Sequence, residues 1–112
     1  MKYRELGKTG KSISILGLGC MRLPTKDNLP MSQNIDEIET SKMIEYAINN
    51  GINYFDTAYP YHSSKSEIVI GKILKNFKRN DFYLATKSPV WLINSKGDFT
   101  RLLDEQLTKL KY

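Results

Sequence analysis

Three side chains with complementary chemistry follow two predicted strands of this sequence. Residues 52–55 form a short apolar run, typical of a buried strand, that ends directly in Asp56, and Tyr61 lies in the proline-containing loop that comes next. Lys87 ends the next predicted strand, residues 82–86. Parallel α/β proteins keep their working groups at the carboxyl ends of strands, and an ammonium ion near a phenol favours the phenolate needed for proton transfer. These positions therefore predict a proton-transfer site built from Asp56, Tyr61 and Lys87.

Each of the three residues also has a plainer interpretation when it is taken alone. A carboxylate after a strand is as typical of a strand-end cap as of a reactive group, a loop tyrosine is commonly a surface aromatic, and a lysine is commonly solvated. Only their spacing, together with the flanking residues, favours a shared chemical role for Asp56, Tyr61 and Lys87.

Three predicted helices separate and follow the strands that carry these residues. Asp36-x-x-Glu39 and Ser64-x-x-Glu67 have the form of capping boxes and begin the first two helices, whereas Gly97 and Asp98 introduce the third. The apolar residues predicted to form one face of each helix are Met43, Ile44, Ala47 and Ile48 in the first, Val69, Ile70, Ile73, Leu74 and Phe77 in the second, and Phe99, Leu102, Leu103, Leu107 and Leu110 in the third. The alternation of strand and helix predicts right-handed βαβ crossovers and a parallel sheet.

The amino-terminal residues are predicted to add a hairpin and the first strand of this sheet. Residues 2–15 flank a glycine-containing turn typical of a β-hairpin, and residues 14–19 form a strand in which Gly17 and Gly19 allow a ligand to approach closely. A small doubly wound nucleotide-binding module is disfavoured, because Arg22 stands where the dinucleotide fingerprint has its third glycine. Residues 23–34 contain two prolines and predict a loop over the carboxyl face of the sheet.

The spacing of several motifs resembles the aldo-keto reductase family. Tyr61 lies five residues after Asp56, Ser66 and Glu67 open the next helix, and Lys87 closes the next strand. Residues 2–10, 16–22 and 85–91 also resemble this family, and most closely the branch that carries a ferredoxin-like iron–sulfur tail. The resemblance implies a TIM (β/α)8 barrel, which takes about 250 residues. Residues 1–112 are therefore predicted to be one incomplete barrel domain, with the hairpin and three βα units but without strands 4–8.

The same resemblance implies hydride transfer between a nicotinamide cofactor, usually NADPH, and a carbonyl or alcohol substrate. Tyr61 would be the general acid that protonates the substrate oxygen. Lys87 would lower the pKa of Tyr61, and Asp56 would keep Lys87 charged and correctly directed. The family also has a histidine at the end of its fourth strand. The single histidine of this chain, His62, directly follows Tyr61 and is interpreted as an exposed loop residue, because adjacent side chains of an extended segment point in opposite directions.

Other residues match family positions around the cofactor and substrate. Gly19, Cys20, Met21 and Asp56 match positions that lie against the nicotinamide and its ribose, so the resemblance implies a cofactor-binding role for them. Trp91 matches a position that lines the substrate pocket, although a packed loop aromatic is an equal alternative. Cys20 is interpreted as a small buried hydrophobe, and a single cysteine cannot supply the four thiolates of an iron–sulfur cluster, so no cluster is expected in this chain.

Composition and charge restrict the remaining classes of function. The formal net charge is +5, but the basic residues are interspersed with acids, which is typical of a solvated surface and, secondarily, of attraction for a phosphate-bearing cofactor. No basic stripe with interleaved aromatics predicts nucleic-acid binding. The sequence has no long apolar span and only one cysteine, so we expect no membrane insertion, no internal disulfide, and a cytoplasmic location.

A barrel that stops after three strands leaves two open sheet edges, which are free to pair with another copy of the chain. The sequence therefore predicts that this chain alone has little reductase activity. The alternative to a piece of an active reductase is a non-catalytic fragment that acts as a binding or assembly module. The substrate and the choice between NADPH and NADH depend on residues that the sequence does not identify.

Overall fold

The computed structural model describes all residues from 1 to 112. Its elements form an antiparallel hairpin followed by a three-stranded parallel sheet with helical connections. The strands are β1 (Tyr3–Glu5), β2 (Ser12–Ser14), β3 (Leu18–Gly19), β4 (Tyr54–Asp56) and β5 (Tyr83–Ala85), and the helices are α1 (Glu37–Asn49), α2 (Ser66–Leu74) and α3 (Lys96–Leu110). A short helical turn, Tyr61–Ser64, precedes α2, and two 3-10 turns, Arg79–Asp81 and Val90–Leu92, flank β5. None of the helices is long and apolar enough to cross a bilayer.

The register of the parallel sheet aligns the ends of its three strands. β3, β4 and β5 are neighbours in that order, and Gly19, Asp56 and Ala85 lie in one row across the sheet. The Cys20 amide donates to the Asp56 carbonyl at 2.8 Å, so the first pairing continues just beyond β3. The predicted hairpin and parallel βαβ order are confirmed, although the first sheet strand is shorter than residues 14–19. All residues that follow these strand ends are therefore held at one edge of the sheet.

Two of the three predicted helix starts are confirmed by their caps. The Asp36 carboxylate accepts hydrogen bonds from the Ile38 and Glu39 amides at 3.1 and 3.0 Å, and this cap begins α1. Ser95 and Asp98 form a reciprocal capping box at the start of α3. Each cap satisfies backbone donors that the first turn of a helix leaves free.

The predicted capping box Ser64-x-x-Glu67 is wrong. Helix α2 begins at Ser66, without a side-chain cap, and the Glu67 side chain is fully buried. Ser64 has φ 66°, in the left-handed region, so it cannot adopt the extended conformation of an N-cap residue. Glu67 instead turns toward β5 and α3, where it accepts hydrogen bonds from Thr86 and Gln106.

The hydrophobic core lies among the sheet and all three helices. Its members are Cys20, Leu23, Ile35, Ile44, Phe55, Val69, Ile70, Ile73, Leu74, Phe82 and Leu110. The rings of Phe55 and Phe82 pack edge to face with centroids 6.0 Å apart. The apolar face predicted for α3 is only partly correct, because Leu102 and Leu110 are buried whereas Phe99, Leu103 and Leu107 are exposed. This core packs α2 against α3 and both helices against the sheet.

We expect Gly71→Ala to destabilise the fold, because Gly71 lies where α2 meets the carboxyl end of α3. A Cβ atom at position 71 would lie 2.6 Å from the backbone of Leu110, so one helix must shift. Overpacking of this kind costs about 1–3 kcal/mol, which exceeds the roughly 1 kcal/mol that alanine gains in helix propensity. Thermal unfolding should show a lower Tm. Gly97→Ala in α3 is the matched control, since the nearest atom lies 4.0 Å away, and this variant should be at least as stable as the wild type.

Candidate active site

The structure brings Asp56, Tyr61 and Lys87 together around one ammonium group. Lys87 Nζ donates to Asp56 Oδ1 at 2.6 Å, to the Thr57 carbonyl at 2.8 Å and to Tyr61 Oη at 3.3 Å. A lysine ammonium has three donors and no acceptor. Lys87 is thus fully hydrogen-bonded within the protein, and one of its partners is a phenol.

Each of these residues reaches the site from the end of a different segment. Asp56 is the last residue of β4, and Lys87 follows β5, whose terminal Ala85 pairs with Asp56 in the sheet. Tyr61 begins the helical turn after Pro60 and presents its ring to the ammonium, with Nζ 5.0 Å from the ring centroid. Two rigid strands therefore fix the ion pair, and the turn fixes the phenol.

The pKa of Lys87 shows how this environment favours the charged amine. Burial has the largest single effect and lowers the pKa of Lys87. The hydrogen bonds to Asp56 and Tyr61 and the negative charge of Asp56 raise it, and together they outweigh burial, so the net pKa lies above its usual range. The side chains of Lys87 and Asp56 are 50% and 37% exposed, so solvent screens this pair. Lys87 is therefore a cation at neutral pH and can stabilise negative charge on the neighbouring phenol oxygen.

A polar cluster, formed by buried Glu67 and Gln106 and partly buried Thr86, binds the backbone of Lys87. Gln106 Nε2 donates to the Lys87 carbonyl at 2.9 Å and to Glu67 Oε1 at 2.8 Å. Thr86 Oγ1 donates to the same carboxylate oxygen at 2.7 Å. The second oxygen, Glu67 Oε2, has no hydrogen bond but lies 3.5 Å from Lys109 Nζ. This cluster connects α2 and α3 to the end of β5.

Sequence reasoning missed this cluster and assigned His62 wrongly. Glu67 and Gln106 are 39 residues apart, and only the S-x-x-E pattern drew attention to Glu67, with the wrong role.

His62 was expected to be an exposed loop residue, but its side chain is fully buried. Its backbone has φ 52°, so the segment is not extended and the rule that neighbours point to opposite sides does not apply.

The residues expected to contact the cofactor or the substrate differ in how far their side chains are exposed to solvent. Gly19 pairs with Asp56, and a Cβ built at Gly19 would meet no atom within 4 Å, so the space beside it is open. Cys20 is fully buried, as predicted, and burial together with the nearby Asp56 charge raises the pKa of its thiol to about 12. Met21 and Trp91 are exposed, and Trp91 lies in the 3-10 turn Val90–Leu92. The structure thus places Gly19 and Cys20 next to Asp56 and leaves Trp91 on the surface.

The parallel βα order brings a carboxylate, a phenol and an ammonium group together at the strand ends. Residues 15–112 match the model of the Aldo/keto reductase family, and the chain belongs to that family. An uncharacterized oxidoreductase, YqkF of Bacillus subtilis, is 35% identical over 120 residues, a match that covers 99% of this chain and 36% of that protein. The chain thus spans about a third of the length of this relative.

Solved structures show the same relationship. The aldo-keto reductase AKR11C1 from Bacillus halodurans, in its holo form, superposes with a TM-score of 0.78 at 32% identity, covering 99% of this chain and 37% of that one. An aldo-keto reductase from Klebsiella pneumoniae in complex with NADPH has a TM-score of 0.71 at 21% identity, covering 89% of this chain and 32% of that one, and supports the fold alone. The predicted fold is therefore confirmed, since the chain has the amino-terminal part of a TIM barrel and does not close into one.

Proposed function

We propose that this chain carries the proton-transfer residues of an NADPH-dependent carbonyl reductase. The observation that supports this most strongly is the position of Lys87 Nζ, which lies 2.6 Å from Asp56 Oδ1 and 3.3 Å from Tyr61 Oη. Reduction of a carbonyl by hydride leaves negative charge on oxygen, and a proton donor must lie close to that oxygen.

The three side chains have separate roles in this proposal. Tyr61 is the general acid that donates its phenolic proton to the substrate oxygen. Lys87 stabilises the phenolate that this transfer leaves. Asp56 holds the ammonium in place and balances its charge. Family membership and the oxidoreductase relatives support this division of roles. The chemistry of the side chains supports it separately, because each one has the acid, cationic or anionic group that its role requires.

We propose that the nicotinamide end of NADPH lies in the open space beside Gly19. When bound, NADPH supplies the hydride. Gly19, Cys20, Met21 and Asp56 are the residues that we propose line the cofactor, with Cys20 as an inert packing group. The Bacillus halodurans relative, which is 32% identical to this chain, is known in a holo form, and this supports a bound cofactor. The formal charge of +5 also favours a phosphorylated ligand.

We further propose that residues 1–112 are an incomplete barrel domain whose missing strands 4–8 complete the pocket. The substrate is then a small aldehyde or ketone, and Trp91, which is exposed on the carboxyl side of β5, contributes to its binding. A single buried cysteine of raised pKa is compatible with the reducing cytoplasm, where we place the protein.

The experiment that tests this function uses a barrel chimera. In this chimera, residues 1–112 replace the corresponding amino-terminal third of the Bacillus halodurans enzyme, which superposes on 99% of this chain. NADPH oxidation is then measured with a panel of aldehydes and ketones. Carbonyl-dependent oxidation supports the proposal. A folded chimera that binds NADPH but reduces no carbonyl contradicts it.

We expect the isolated polypeptide of 112 residues to have little reductase activity. The three-stranded sheet has two open edges and cannot enclose a substrate against water. The measurement is NADPH oxidation with broad-specificity aldehydes at enzyme concentrations matched to the chimera. Rates comparable to those of an intact reductase would overturn this expectation.

A non-catalytic binding or assembly module is the second candidate, and one surface favours it. Phe99 and Leu103 of α3 are 55% and 51% exposed and line a surface cavity with Thr86 and Ser88, just beyond the end of β5, so they offer an apolar face to a partner. Self-association through the open edges is the corresponding proposal for the chain alone. Light scattering should then show a dimer or larger species that a Phe99→Ser, Leu103→Ser variant converts to a monomer.

A further inference from the structure

We propose that His62 is a positioning residue of this site, whose buried imidazole fixes Tyr61 and the β3–α1 loop (residues 20–36) relative to each other. The inference rests on the proposed function in one respect, because it assumes that the place of the Tyr61 phenol matters. The contacts of His62 themselves do not depend on that assumption.

Both ring nitrogens of His62 bind backbone atoms of the β3–α1 loop. The Leu23 amide donates to Nε2 at 3.0 Å, and Nδ1 lies 2.7 Å from the Ser32 carbonyl oxygen. An amide can only donate and a carbonyl can only accept, so these partners require a neutral ring that carries its proton on Nδ1. A fully buried imidazole with both nitrogens satisfied is a specific connection between the two segments.

The segment that carries His62 needs such a connection. His62, Ser63 and Ser64 have φ angles of 52°, 52° and 66°, all in the left-handed region. Non-glycine residues are disfavoured in this region, and such backbone persists only where its surroundings hold it. The side chains of Ser63 and Ser64 form no hydrogen bond, whereas the His62 side chain forms two. His62 is therefore the side chain that stabilises this turn.

The turn and the loop both border the site. Tyr61 begins the turn, so the course of the turn determines the 3.3 Å separation between Tyr61 Oη and Lys87 Nζ. The loop begins at Cys20, next to Gly19 and the open space that we assign to the nicotinamide. Through Leu23, which is buried in the core, His62 holds the start of this loop against the turn.

The first measurement concerns the tautomer in the unmodified chain. His62 is the single histidine of the sequence, so the imidazole nitrogen resonances of isotope-labelled protein belong to one residue. We expect a neutral ring with a protonated Nδ1 and an unprotonated Nε2. A ring protonated on Nε2, or one that samples both tautomers, would overturn the proposal even if every variant failed to fold.

The second measurement compares His62→Gln with His62→Phe. Glutamine retains one donor and one acceptor, whereas phenylalanine fills the volume and has neither. We expect hydrogen exchange at the Leu23 amide to be about three- to tenfold faster in His62→Phe, the effect of losing one hydrogen bond, and to be partly restored in His62→Gln. Ile44→Val, a core change in α1, is the control for general destabilisation and should leave the ratio of Leu23 exchange to global exchange unchanged.

The third measurement separates positioning from a purely structural role. The resonance of the Tyr61 ring carbon that bears the hydroxyl is identified as the signal that is lost in Tyr61→Phe. In His62→Phe this resonance should move toward the chemical shift of an exposed tyrosine, whereas in Ile44→Val it should stay in place. If Leu23 exchange accelerates while the Tyr61 resonance stays in place, His62 is structural only and the proposal is wrong. These results do not depend on turnover, so they remain interpretable if the reductase assignment itself fails.

Discussion

We expect Tyr61→Phe in the barrel chimera to lower kcat for carbonyl reduction by about 10²- to 10⁴-fold, the usual contribution of a positioned general acid. Phenylalanine preserves the ring that packs 5.0 Å from Lys87 Nζ but removes the hydroxyl that Lys87 contacts at 3.3 Å. The loss should therefore fall on kcat, with little change in the affinity for NADPH. Steady-state kinetics and a separate NADPH fluorescence titration measure the two effects.

Tyr59→Phe is the matched control for this change. Tyr59 lies two residues earlier, and its hydroxyl donates to Glu105 Oε1 at 2.8 Å, on the side of α3 rather than at Lys87. The same atom is removed at both positions, but only Tyr61 contacts the ammonium. Equal losses of kcat in the two variants would show that the hydroxyl of Tyr61 has no special role.

The second large effect should follow from Gln106→Leu, which we expect to destabilise the protein by about 3 kcal/mol. Gln106 donates to Glu67 Oε1 and to the Lys87 carbonyl, and its removal leaves a fully buried carboxylate with Thr86 as its remaining hydrogen-bond donor. A hydrogen bond to a charged group typically contributes about 1.5–3 kcal/mol, and the loss of Gln106 also leaves the Lys87 carbonyl without this donor. Urea unfolding of the chain, followed by circular dichroism, measures the difference.

Two further variants test whether the carboxylate is the cause of this loss. Combining Gln106→Leu with Glu67→Leu removes the buried charge, and the double variant should be more stable than Gln106→Leu alone. Asp104→Leu, on the exposed side of α3, should change stability by less than about 0.5 kcal/mol. The contrary result is that the loss of unfolding free energy in the double variant equals the sum of the losses in the two single variants. Glu67 and Gln106 would then stabilise the protein independently, and the cluster would have no coupling energy.

Several features of this fold were accessible from the sequence because they depend on local patterns. The Asp36 cap, the start of α3 near Gly97 and Asp98, and the hairpin around Gly7 follow from residues that are near neighbours in the chain. The meeting of Asp56 with Lys87 follows from a single topological rule, since parallel strands end at the same edge of the sheet.

Other features depend on contacts that no local pattern contains. The interpretation of His62 as exposed assumes an extended segment, whereas the left-handed turn that buries it is rare for non-glycine residues and has no sequence signal here. Glu67 matched a capping pattern, but its real partner Gln106 lies in another helix. The exposure of Phe99 and Leu103 could not be predicted either, because helical periodicity identifies an apolar face without identifying what covers it.

In the proposed mechanism, Lys87, held by Asp56, enables carbonyl reduction through Tyr61. The most direct test is aldehyde-dependent NADPH oxidation by the barrel chimera and its Lys87→Met variant, with NADPH affinity measured in parallel. We predict turnover in the chimera and, in the variant, a loss of kcat of about 10²-fold or more with cofactor binding retained. A Lys87→Met variant that turns over as fast as the chimera would contradict the account.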